Sequence, residues 1–222
     1  MATLAEPKKI RGEGYFCHCH FEYGQGRQSD RQAIRLILPP QLANASLRRK
    51  ADFVAGRACA GAALANLTGK VFEIPIGLGG QPIWPEGITG SITHSSPIAA
   101  AVVFQKSIIR NAGLDIEHFM TEPTAWEIER LILGEEERQL IKRPADRAQT
   151  VTAIFSAKEA IYKAIFPVVN RFVEFAEVKC TEIADHTLTF QVADPLEREL
   201  GIKYVMVSLE IETQWVTTLC LL

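Results

Sequence analysis

Apolar positions along this chain change period several times, and each change marks an element. Residues 44–67 repeat at helical spacing, with Leu47, Ala51, Val54, Ala58 and Ala62 on one face, Asn44 as the expected N-cap and Gly69 after the end. Residues 150–166 repeat the helical pattern more strongly. Val151, Ile154, Phe155, Ile161, Ala164, Ile165 and Phe166 cover much of the circumference, and Pro167 is expected to end the helix. Two shorter helical pieces, 124–133 and 135–141, are broken at Gly134. Strand patterning takes over at 15–23, 91–94, 98–104 and 112–117, and again at 173–180, 187–192, 203–211 and 215–221. Residues 24–30 read as a loop, Pro39-Pro40 as a stop, and the glycine- and proline-rich run from Pro75 to Gly90 as a stretch no helix tolerates. Each half thus offers one long helix and a few strands, with a break near Asn111. The expected fold is α/β in its α+β form: two similar lobes, residues 1–111 and 112–222.

Composition narrows the function classes. A chain of 222 residues with 47% hydrophobic and 23% charged residues is globular and long enough for a real core. Its net charge of −2 excludes a general nucleic-acid coat. No apolar run approaches the roughly 18 residues a membrane span needs, and the N-terminal lysines lack the apolar segment of a secretory signal. Five cysteines, odd in number and irregularly spaced, argue against a disulfide framework and for a reduced cytoplasmic protein, expected as a monomer. Cys17-His18-Cys19-His20 looks like a metal box, but a strand turns its cysteines one way and its histidines the other.

The strongest chemical signal is Gly113-Leu114-Asp115-Ile116-Glu117. Strand alternation sends Asp115 and Glu117 to one face, about 7 Å apart, where they repel unless a cation lies between them. Alone, such a pair is an ordinary solvated edge. The second long helix changes the weighing, because a narrow polar stripe of Thr152, Ser156, Glu159 and Lys163 cuts through its apolar surface, as a cleft wall would require. Glu159 would complete an oxygen-ligand set with Asp115 and Glu117, suited to Mg²⁺ beside substrate phosphates. His94 and Ser95, after the glycine-rich run, are candidate phosphate donors, with an adjacent anion holding the imidazole protonated. Arg57, among small residues, needs an anionic partner, internal or bound, and Arg49 lies within about a quarter-turn of it.

With these residues in view, the chain resembles the 4′-phosphopantetheinyl transferases of the surfactin/enterobactin-synthase type. The matching segments are Arg49-Lys50-Ala51-Asp52-Phe53-Val54-Ala55-Gly56-Arg57, Gln81-Pro82-Ile83-Trp84-Pro85 and Gly90-Ser91-Ile92-Thr93-His94-Ser95. They continue with the D-x-E strand, Glu135-Glu136-Glu137-Arg138-Gln139-Leu140, and Phe155-Ser156-Ala157-Lys158-Glu159-Ala160-Ile161-Tyr162-Lys163-Ala164. The resemblance implies a pseudo-dimer with its active site in the cleft between the lobes. Its implied reaction moves the phosphopantetheine arm of coenzyme A onto a serine of an apo acyl, aryl or peptidyl carrier protein of siderophore, nonribosomal-peptide, polyketide or fatty-acid synthesis, releasing adenosine 3′,5′-bisphosphate. By position, Asp115, Glu117 and Glu159 would hold Mg²⁺, Lys163 would neutralise the bridging oxygen, and Glu159 or a water it orients would be the base. His94, Ser95, Arg49, Arg57 and Lys158 would contact coenzyme A, Asp115, Glu159 and Lys163 would border it, and Thr93 and Glu137 occupy further motif positions. The N-terminal lobe would carry the nucleotide-binding elements and the C-terminal lobe the metal and catalytic ones. The bare D-x-E, Glu and Lys constellation also fits a metal-dependent nuclease or phosphohydrolase, against which the absence of a basic stripe weighs.

Overall fold

The computed structural model describes residues 2–22 and 38–222, and the chain divides into two compact units, Met1–Arg110 and Asn111–Leu222. The loop expected at 24–30, and Tyr23 at the end of the first expected strand, lie outside the described residues.

In the first unit, β1 (Ala2–Leu4), β2 (Lys8–Ile10), β3 (Gly14–Phe21), β4 (Ile88–Ser95) and β5 (Ile98–Gln105) form an antiparallel sheet in the order β1-β3-β5-β4, with β2 also on β3. The helix α1 (Leu47–Thr68) packs across it. Its N-cap is Ser46, whose Oγ accepts from the Arg49 N–H at 3.2 Å, so the expected cap at Asn44 is corrected by two residues. Gly69 closes the helix with φ 70°, a conformation glycine adopts freely. The buried face is also rotated from the expected one. Ala55, Cys59, Ala60, Ala63 and Leu64 face Cys17, Cys19, Ala99, Ala101 and Val103, while Leu47 is 82% exposed. In a segment this rich in alanine and glycine, small size rather than hydrophobicity decides which side meets the sheet. Strand β4 begins before the glycine-rich run ends, and Gly90 sits within it because a Cβ there would meet the Val102 carbonyl and the Trp84 ring.

In the second unit, β6 (Ala112–His118), β7 (Val178–Ala184), β8 (Thr187–Val192), β9 (Tyr204–Ile211) and β10 (Trp215–Leu221) form a second antiparallel sheet, ordered β6-β10-β9-β8-β7. Helix α4 (Arg147–Val169) packs across it, with α2 (Glu122–Ile132), α3 (Glu135–Arg138) and α5 (Asp194–Leu200) completing the unit. Pro167 lies inside α4 rather than ending it: the chain turns out only at Asn170, in the left-handed region at φ 47°, with its N–H on the Phe166 carbonyl. A proline in the last turn deletes one helical bond and leaves the next ones intact. The strand expected at 173–180 starts five residues late, after a short 3-10 turn at Phe175–Glu177, and α3 is shorter than the expected 135–141.

The units share a plan. In each, a long helix comes after a strand in chain order, and the last strand of the unit pairs antiparallel with that strand: β5 with β3, β10 with β6. These are the two similar lobes expected from the sequence.

Candidate active site

Helix α4 lies directly on β6 at Gly113, where a Cβ would fall 1.8 Å from the Ala160 carbonyl. That contact sets the face of β6 that meets the helix, and alternation puts Asp115 and Glu117 on the same face, with Leu114 and Ile116 opposite. Asp115 is 3% exposed. Its Oδ1 accepts from the Lys163 ammonium at 2.6 Å and its Oδ2 from the Ser156 hydroxyl at 2.8 Å; Lys163 also donates to the Leu114 carbonyl at 3.1 Å. Burial pushes the Glu159 carboxyl up from its ordinary range; the nearby Lys163 charge opposes this and the Asp115 charge adds to it. Asp115, Glu159 and Lys163 therefore interact as one cluster between β6 and α4.

The donor chemistry of that cluster, oxygen only and mutually repelling at Glu159 and Asp115, fits a hard divalent cation. Among the described residues no three His, Cys, Asp or Glu side chains stand together as a ready-made metal group. Glu117, on the shared strand face, is half-buried.

Lys158 has a different place from the one expected. It is 1% exposed, and its three ammonium donors are spent on the Ile132 carbonyl at 2.7 Å, the Phe175 carbonyl at 3.0 Å and Glu137 Oε1 at 2.8 Å. Glu137 in turn accepts from the Gly134 and Cys180 N–H groups, both at 2.8 Å. This buried pair ties α3, α4 and β7 together, so the expected phosphate contact by Lys158 is corrected to a structural role. The same network fixes the register of the glutamate run: Glu137 is inside, while Glu135 and Glu136 are exposed. The sequence reading missed a neighbouring cluster, in which buried Glu129 pairs with Arg147 and Arg138, and Arg147 stacks 3.6 Å over Trp126.

In the first unit the cations line up on α1. The Arg57 guanidinium is largely buried, donates from Nε to the Ile74 carbonyl at 2.9 Å and stacks on Phe53. Among the described residues it meets no carboxylate, so the internal partner is a carbonyl and a ring. Burial and then the Arg49 charge push it down to about 10, which leaves it cationic at neutral pH. Arg49 donates to His94 Nε2 at 3.0 Å; since arginine has no acceptor, that nitrogen carries the lone pair. The His94 Nδ1 faces Asp52 at 4.0 Å, and Asp52 is fixed by the Ser96 hydroxyl at 2.7 Å. Strand alternation turns Thr93 and Ser95 to the face opposite His94, so the structure does not bring Ser95 and His94 to one face.

Comparison with known proteins agrees with this reading of two paired units. The model of the 4′-phosphopantetheinyl transferase N-terminal domain matches residues 38–104, and that of the 4′-phosphopantetheinyl transferase superfamily matches residues 111–220. The chain belongs to the 4′-phosphopantetheinyl transferase superfamily. Enterobactin synthase component D of Salmonella typhimurium is 35% identical over 173 residues, 74% of this chain and 70% of that protein. The 4′-phosphopantetheinyl transferase Npt of Nocardia iowensis is 37% identical over 139 residues, 62% of each chain. PptT of Mycobacterium tuberculosis, also a 4′-phosphopantetheinyl transferase, is 33% identical, covering 67% of this chain and 65% of that protein. The chain spans between about half and 70% of the length of these and similar curated relatives. Helicobacter pylori holo-[acyl-carrier-protein] synthase, solved with coenzyme A, is 15% identical, with a TM-score of 0.39 over 49% of this chain and 96% of that one. No described helix is long and apolar enough to cross a membrane.

Proposed function

We propose that this chain transfers the 4′-phosphopantetheine arm of coenzyme A to a serine hydroxyl of an apo acyl, aryl or peptidyl carrier protein, releasing adenosine 3′,5′-bisphosphate. Family membership favours this over the nuclease or phosphohydrolase reading. Relatives called enterobactin synthase component D favour carrier domains of siderophore and other nonribosomal-peptide assembly. The observation that carries the reading is the buried Asp115 carboxylate, gripped by Lys163 and Ser156 and close enough to Glu159 to raise its carboxyl.

In the chemical step the serine oxygen attacks the phosphorus that bears pantetheine. The bond from that phosphorus to the bridging oxygen breaks, and the adenosine bisphosphate departs with the negative charge. Glu159, made more basic by its burial, is the acceptor for the serine proton, directly or through a water. Lys163, about a quarter exposed, is the cation for the charge growing on the bridging oxygen. Asp115, Glu117 and Glu159 would hold Mg²⁺, which would supply neutralisation of the pyrophosphate charge. In the first unit Arg49 and Arg57 bind the 3′-phosphate end of coenzyme A, and His94 holds Arg49; a contact by Ser95 would have to come from the other face of β4. The protein acts as a cytoplasmic monomer in this reading.

Intact-mass spectrometry of an apo carrier incubated with the enzyme, coenzyme A and Mg²⁺ tests the proposal. The expected gain is one phosphopantetheine arm, lost on chelation and lost with Glu159→Ala. No gain on any of several acyl, aryl and peptidyl carriers would sink it.

A further inference from the structure

We infer that Thr218 is a positioning residue for Asp115, acting through Ser156; the inference rests on the transferase reading of the site. In the β6–β10 ladder Thr218 stands directly opposite Asp115. It occupies the inward face of β10 between Val216 and Cys220, and all three side chains are fully buried. Valine would fill the same volume on a strand with no polar atom to satisfy, so shape alone does not call for threonine here. Ser156 is likewise fully buried, on the polar stripe of α4 between Thr152 and Glu159 and flanked by Ala153, Ala157 and Ala160.

The two hydroxyls meet at 2.8 Å, and the proton directions follow from what each group can do. An ionised carboxylate only accepts, so the single Ser156 proton goes to Asp115 Oδ2. Ser156 therefore has only a lone pair left for Thr218, and Thr218 must be the donor. The result is a one-way chain, Thr218 to Ser156 to Asp115, which ends on the oxygen that Lys163 does not hold. The terminal torsion of an aspartate is soft. Lys163 reaches Asp115 on a flexible stem and is partly exposed, so it does not by itself fix the carboxylate plane. The buried hydroxyl chain does, and it sets where Asp115 presents its oxygens to a cation or phosphate.

The test compares Thr218→Val, which removes the hydroxyl at constant volume, with Thr218→Ser, which keeps it. Mn²⁺ binding to the full chain with coenzyme A is followed by electron paramagnetic resonance, beside thermal unfolding and transfer kinetics. Thr218→Val is expected to unfold at the wild-type temperature while binding Mn²⁺ about tenfold more weakly, the scale of lost second-layer partners at metal sites. Thr218→Ser should restore the affinity. Should Thr218→Val not fold, Thr218→Ser and Thr218→Ala make the same comparison, with binding kept by serine and weakened by alanine. Equal Mn²⁺ affinity with and without the hydroxyl, or no Mn²⁺ binding by the wild type, overturns the inference. If wild-type enzyme modifies no carrier yet its Mn²⁺ affinity follows the hydroxyl, the transferase reading fails and the positioning role stands.

Discussion

The two long helices carry their charges in opposite ways. On α4 two cations are matched internally: Lys163 with Asp115 on β6, and Lys158 with Glu137 on α3. On α1 two cations rest on hydrogen-bond acceptors and rings, Arg49 on the His94 imidazole and Arg57 on the Ile74 carbonyl and the Phe53 ring. The first arrangement fixes geometry, because each group is held by a counter-charge and by neutral hydrogen bonds as well. The second leaves the Arg57 charge without a carboxylate among the described residues, which is what an anionic ligand needs to find. The same scaffold of a helix on five antiparallel strands therefore serves two ends, and the difference lies in what the buried side chains are allowed to satisfy.

The largest break in this comparison comes from the matched side. Glu137→Gln strands the Lys158 ammonium, whose pKa burial already lowers, and is expected to cost about 3–5 kcal/mol of stability, measured by urea unfolding. A cost near zero would mean that the pair does not hold α3 and β7 to α4. On the other side, Arg57→Ala should raise the Michaelis constant for coenzyme A about tenfold, or ~1.4 kcal/mol, and leave that for the analogue lacking the 3′-phosphate unchanged. An equal rise for both would move Arg57 away from that phosphate. The smallest effect concerns Glu159. Because its folded carboxyl lies above the unfolded one, the native state holds the proton longer, and stability falls as pH rises through that window. Glu159→Gln should match wild type in acid and become the more stable of the two toward neutral pH. A gap that is flat with pH would show that Glu159 is not strained by ionising.

How much of this was readable from sequence follows from the range of the interactions. Alternation alone located β6, β8 and β10 and put Asp115 and Glu117 on one face, because strand period is a local property. The thin polar stripe on α4 gave Ser156, Glu159 and Lys163 for the same reason. The face of α1 was misread because alanine and glycine give a helix little apolar contrast; its true orientation is set by Gly56 against Ile92, a contact 36 residues apart in sequence. Lys158 looked like its neighbour Glu159, and only the arrival of Glu137 and two distant carbonyls shows that it points inward. Thr218 gave no local signal, since its meaning depends on the ladder partner across the sheet.

The cysteines, chemically silent in the proposed reaction, have a practical consequence. All five are free and buried, with Cys17, Cys19 and Cys59 in one unit and Cys180 and Cys220 in the other. Burial holds the Cys180 and Cys220 thiols up at about 12, so both are poor nucleophiles while the fold is closed. In the first unit each thiol donates to a backbone carbonyl: Cys17 to Ala5 at 3.4 Å, Cys19 to Ala55 at 3.9 Å and Cys59 to Ala99 at 3.5 Å. A thiol-specific label therefore reaches this protein only through opening events, and peptide mapping of the labelled sites would report which of the two units breathes first.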